Sequence, residues 1–140
     1  MEKLEHIGIA VKNLEESNKV FEKLLGRPHY KIEEVDSEGV RTSFFEVGGI
    51  KIELLEATRP DSPIAKFIEK RGEGLHHLAF EAHPIKEKMN GLSSEGFKLL
   101  SDQPKPGADN KMIVFLHPKT TNGVLVELCE AAKTASSGKT

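Results

Sequence analysis

The sequence predicts an α+β fold: two tandem βαβββ modules whose strands form one curved eight-stranded mixed sheet, with helices on its convex face. Three observations carry this. The chain opens with His6-Ile7-Gly8-Ile9-Ala10-Val11, where Ile7, Ile9 and Val11 share one strand face and His6, Gly8 and Ala10 the other. The pattern returns in His77-Leu78-Ala79-Phe80, and each half also closes alike, with Ile52-Glu53-Leu54-Leu55-Glu56 and Val126-Glu127-Leu128-Cys129-Glu130. Matching landmarks keep a near-constant offset: 71 residues from His6 to His77, 70 from Gly26 to Gly96 and 74 from Glu53 to Glu127. Internal duplication accounts for that spacing.

In chain order, the first strand (residues 4–11) stops at Asn13, an N-cap. Leu14, Val20, Phe21, Leu24 and Leu25 follow at helical spacing up to Gly26, a C′ residue. Extended segments are expected over 29–35, 40–47 and 50–56, with turns at 36–39 and at Gly48-Gly49, a two-residue hairpin signal. This completes a first module of residues 1–57. Residues 58–74 form a connector in which Asp61-Ser62-Pro63 starts a short helix with Ile64, Phe67 and Ile68 on one stripe, ended by Gly72 and Gly74. The second module, 75–130, begins with a strand over 75–81. Pro84 then opens a helix with Ile85, Met89 and Leu92 on its buried side, closed at Gly96. Three strands are expected over 97–100, 111–116 and 124–129, with a Pro/Gly/Asp-rich loop from 101 to 110. Residues 131–140 have no periodic apolar face and are expected to be a disordered tail.

A chain of 140 residues supports one domain or two half-domains sharing a core. A formal charge of −2 argues against a nucleic-acid or anionic-membrane partner. No apolar run is long enough for a signal peptide or membrane span, and a lone Cys129 cannot form an internal disulfide, so the expected location is the cytoplasm. Cys129 itself reads as a small buried hydrophobe.

Strand parity puts Glu53 and Glu127 on the lean faces that carry His6 and His77. Two modules related by an approximate two-fold would therefore converge two imidazoles and two carboxylates in the concavity. That donor set suits one divalent transition ion per chain (cobalt, zinc, nickel or manganese), and the donors alone do not choose among these. Parity turns His76 toward the helices with Leu78, as a structural or supporting residue. His29 and His83 read as surface residues near turns. His117 stands just past a strand end, where a ligand contact and a turn cap fit equally.

These residues resemble the vicinal oxygen chelate superfamily, and within it the methylmalonyl-CoA epimerase family, over residues 4–130. The segments concerned are residues 6–11, Asp61-Ser62-Pro63-Ile64-Ala65-Lys66-Phe67, Gly72-Glu73-Gly74-Leu75-His76-His77, Phe115-Leu116-His117-Pro118-Lys119 and Gly123-Val124-Leu125-Val126-Glu127-Leu128. The resemblance implies a metal held by His6, Glu53, His77 and Glu127. It also implies an acyl-CoA substrate and epimerisation at C2 with Glu127 as a catalytic acid or base; Thr42, Lys111 and His117 are the candidate substrate contacts. Homodimers are a further expectation, on the exposed module edges. Thr42 stands where the family's best-described form carries a catalytic Glu, and a threonine hydroxyl is too weak an acid for that role. Lys66, Lys70, Arg71, Lys111 and Lys119 are candidate CoA-phosphate partners. Alternative readings are a glyoxalase I-type lyase, which shares the His, Glu, His, Glu pattern, and a non-catalytic binding member of the same fold.

Overall fold

The structure is a computed structural model and describes residues 1 and 3–132. Its elements are β1 (Lys3–Ala10), α1 (Leu14–Leu25), β2 (Lys31–Val35), β3 (Val40–Val47), β4 (Ile50–Ala57), α2 (Pro63–Arg71), β5 (Gly74–Glu81), α3 (Ile85–Ser94), β6 (Lys105–Pro106), β7 (Lys111–Leu116) and β8 (Val126–Ala131). The eight strands form one curled sheet in the order β2-β3-β4-β1-β5-β8-β7-β6. That order is symmetric about the β1–β5 seam, as a duplicated module demands. The seam is antiparallel, while β1 pairs in parallel with β4 and β5 with β8. The first strand of each half therefore lies directly beside the last strand of the same half.

Local chemistry sets the helix limits as expected. The Asn13 side chain accepts from the Glu16 N–H at 2.9 Å, and Gly26, at φ 71°, takes the left-handed conformation that ends α1. Ser62 caps α2 by accepting from the Ala65 N–H, with Pro63 in the first turn. Leu14, Phe21 and Leu25 of α1 pack on Phe45 and Leu54. Ile85 and Met89 of α3 pack on Val114 and Leu128. Both module helices thus cover the convex face. The connector helix does not: Ile64 of α2 packs with Ala10, Val40 and Leu55, which share the opposite, concave face with the site residues. The connector crosses the end of β1 and roofs one end of the cup.

Several sequence-based boundaries are corrected. Residues 97–100 are not a strand of the sheet; they contribute one bridge, Leu99 to Leu116, and Leu100 is half exposed. The edge strand is instead β6, inside the segment expected to be a loop. Two residues beside Pro106 and Gly107 are too short to leave a periodic signal. β2 starts at Lys31 because His29 is tied to the Glu22 carboxylate at the end of α1. β8 starts at Val126, since residues 118–125 form turns closed by bonds such as Gly123 N–H to Pro118 O at 2.7 Å. It extends through Ala131, so that residue is not tail; residues 133–140 lie outside the described residues.

The segment from Gly107 to Asn110 also closes the cup. Asp109, at φ 59°, pairs with Lys31 at 2.6 Å and with Lys51, and its N–H donates to Glu33 at 2.9 Å. These bonds fasten a second-module loop to first-module strands β2 and β4. Among the described residues no helix is long and apolar enough to cross a membrane.

Candidate active site

Four neighbouring strands bring the expected ligands together: Glu53 on β4, His6 on β1, His77 on β5 and Glu127 on β8. Each is between 3% and 7% exposed, and all line one cavity of about 300 Å³. His6 Nε2 lies 2.9 Å from His77 Nε2 and 3.7 Å from one Glu127 oxygen, while His77 Nε2 is 3.4 Å from the other. Glu53 adjoins the other edge of the His6 ring, 3.2 Å from Nδ1. Three of the four thus converge on one point, while Glu53 lies on the Nδ1 side of the His6 ring, away from it.

The donor set fits a divalent ion. Ligands at about 2.1 Å from one ion lie about 3.0 Å apart when cis in an octahedron and about 3.4 Å apart in a tetrahedron; the 2.9 and 3.4 Å separations lie close to these values and the 3.7 Å one is longer. The electrostatics agree. Burial, aided by the charges of Glu5 and Glu38, pushes the Glu127 carboxyl up to about 8. Burial and the Glu127 charge push Glu53 well above its ordinary range. Burial, with His6 and His76 nearby, holds His77 well below its ordinary value and so neutral. Among the described residues no lysine or arginine pairs with Glu53 or Glu127. A bound cation would supply that missing countercharge.

Gly8 is part of this geometry. A Cβ there would lie 2.2 Å from His77 Cε1, so only glycine lets the ring lie against β1. Thr42 lines the same cavity, is 1% exposed, and its hydroxyl has no protein partner. Lys111 and His117 do not line it: Lys111 opens β7, and His117 Nδ1 accepts from the Lys119 N–H at 3.0 Å as a turn cap. His76 is corrected. It does not face the module helices but lies beside His77 on the cavity wall, edge-on to Phe67 of α2.

Sequence reasoning missed Glu5, which is buried with its carboxylate 2.6 Å from His6 Nδ1 and 2.6 Å from Lys51 Nζ. The available signal was a glutamate on the strand face that otherwise carries Ile7 and Ile9. It also missed Glu38 and Lys105, paired at 3.1 Å on the cavity wall.

Comparison with known proteins places the chain in a family. Residues 5–115 match the Glyoxalase/Bleomycin resistance protein/Dioxygenase superfamily, to which the chain belongs. It is 42% identical over 130 residues to the uncharacterized protein YqjC of Bacillus subtilis, covering 93% of each. It is 37% identical to the mitochondrial methylmalonyl-CoA epimerase of Homo sapiens, over 92% of this chain and 74% of that one. A variant of the Streptomyces coelicolor methylmalonyl-CoA epimerase, in complex with 2-nitronate-propionyl-CoA, superposes with a TM-score of 0.88 at 33% identity, over 94% of this chain and 96% of that one. Within the superfamily the chain is a member of the methylmalonyl-CoA epimerase family, a family of isomerases.

Two outcomes follow from the site. Gly8→Ala should displace the His77 ring, weaken cobalt binding at least about tenfold and cost about 1–3 kcal/mol of stability from overpacking; calorimetric titration and chemical denaturation check both. The second concerns pH. Folded Glu127 keeps its proton up to about 8, against an ordinary 4.5, so its stabilisation is complete below 4.5 and is lost as pH rises through about 8. The lowered His76 and His77 work oppositely, adding stability as pH rises to their ordinary 6.5. Above 6.5 only the carboxylate effect remains. The metal-free protein should therefore melt at progressively lower temperature from pH 6.5 to about 8, and saturating cobalt should abolish that slope.

Proposed function

We propose that the chain is a metal-dependent methylmalonyl-CoA epimerase, interconverting the (2R) and (2S) thioesters by removing the C2 proton and returning one to the opposite face. The observation that carries the reading is the pair of buried carboxylates, Glu53 and Glu127, flanking two neutral imidazoles on the cavity wall. His6, His77 and Glu127 would hold the ion, with Glu53 completing the set. The ion would polarise the thioester carbonyl and offset the charge that builds on it as the C2–H bond breaks.

The chain's own residues do the rest. Exchange of a proton between two faces needs one base and one acid at the same pH. Two buried carboxylates facing one cavity are the chain's own groups for that pair. In this reading Glu127, loosened from the ion, takes the proton from C2, and Glu53, protonated and off the ion, returns one to the other face. Glu53 thereby fills the place that Thr42 cannot. The unpartnered Thr42 hydroxyl is free to donate to the substrate carboxylate.

The acyl group would sit in the cavity and the CoA arm would leave it. A second groove shares Pro63, His76, His77 and Leu125 with the cavity and runs past Lys66, Lys70 and Arg71. Those cations suit its phosphates.

In D2O the enzyme should wash deuterium into C2 of methylmalonyl-CoA when cobalt is present and lose the exchange on chelation. Glu127→Gln should lower the rate at least about 100-fold while folding is kept. Metal-independent exchange, or near-wild-type rates in that variant, would remove this chemistry. Thr42→Val should raise KM about 3–10-fold, the worth of one hydrogen bond, and leave stability unchanged, because no bond within the protein is lost.

A further inference from the structure

Glu5 and His76 each stand immediately before a ligand histidine, where strand alternation should turn them to the other side. The pairing of the seam shows why it does not. Opposite Phe80 and Ala79 stand Leu4 and His6, leaving Glu5 without a partner; opposite Gly8 and Ile9 stand His77 and Leu75, leaving His76 without one. Each is the extra residue of a β-bulge, which re-aims a side chain. The two bulges occupy equivalent places in the two halves. Each delivers its side chain to Nδ1 of the adjacent ring: Glu5 Oε1 at 2.6 Å from His6 Nδ1, and His76 Nδ1 at 2.9 Å from His77 Nδ1. Both rings are thereby held by one nitrogen, with their Nε2 atoms facing each other and Glu127.

We propose that Glu5 and His76 are paired positioning residues that accept the Nδ1–H of His6 and His77, hold each ring in the tautomer whose Nε2 can ligate a cation, and make His6 the stronger donor of the two. This rests on the metal-site reading above. The inequality follows from charge: a carboxylate behind an imidazole N–H raises the basicity of the far nitrogen more than a neutral imidazole does. The Glu5 carboxylate is also paired with Lys51 Nζ at 2.6 Å. Lys51 in turn leans on Asp109, which ties His6 to the loop that closes the cup. The Glu53 oxygen, 3.2 Å from the same Nδ1, is the longer contact. The His76 ring offers its own Nδ1 as the acceptor, 2.9 Å from His77 Nδ1. Phe67 fixes that ring edge-on, with centroids 4.9 Å apart.

The test uses zinc, which is diamagnetic, with the full-length protein labelled with 15N. Two-bond 1H–15N couplings read the tautomer of each histidine, and calorimetry reads the affinity. In the wild-type zinc complex both His6 and His77 should carry their proton on Nδ1. Glu5→Gln should weaken zinc binding about 10–100-fold and shift the His6 Nδ1–H resonance. His76→Phe should weaken it by a smaller factor, and His76→Asn, whose side-chain oxygen accepts, should recover most of that loss. Should Glu5→Gln fail to fold, the wild-type tautomers and the His76 pair still decide. Zinc bound by the wild type with either ring protonated on Nε2, or bound within twofold by all variants, would overturn this inference alone. A wild type that takes up no zinc would overturn the metal site as well.

Discussion

Burial of two carboxylates and two imidazoles at one seam is the constraint on which the rest of the molecule depends. Sequestering that much ionisable chemistry in a low-dielectric wall is costly unless charge is neutralised or compensated. Among the described residues no side-chain cation pairs with Glu53 or Glu127, and their carboxyls respond by shifting upward. The sheet order puts β4, β1, β5 and β8 side by side, so residues far apart in sequence become neighbours across three strand pairings. Gly8 supplies the room that lets the His77 ring reach the seam.

Around this centre the two halves have diverged in how they support it. On the first side the support is ionic, running from Glu5 through Lys51 and Asp109 to Lys31. On the second it is aromatic, with His76 held between His77 and Phe67. The ionic side crosses between modules and fastens the loop whose Gly107 and Ala108 form part of the cavity wall. Packing of α2 on Ala10 and Leu55 roofs the other end. Shape and charge at the site are therefore set by segments outside the βαβββ repeat as much as by the repeat itself.

The doubled architecture was legible because it rests on period-two alternation and on glycines at turns, both of which are local. Glu53 and Glu127 could be found because their flanking residues, Ile52 and Leu54 or Val126 and Leu128, fix the face. Glu5 and His76 could not be placed by that logic, since a bulge breaks the alternation that parity assumes; their signal was a polar residue at an apolar phase. β6 was hidden because two residues carry no period, and the Asp109 clasp because it depends on loop geometry with positive φ. Lys111 and His117 stand off the cavity wall, at a strand start and a turn cap.

The central claim is that one cation sits where these strands meet, and an anomalous-scattering map from crystals grown with cobalt measures it directly. The account predicts a single strong peak about 2.0–2.2 Å from His6 Nε2, His77 Nε2 and a Glu127 oxygen, with Glu53 turned to join them. A map with no peak at the seam, or with cobalt bound only elsewhere on the surface, would contradict it.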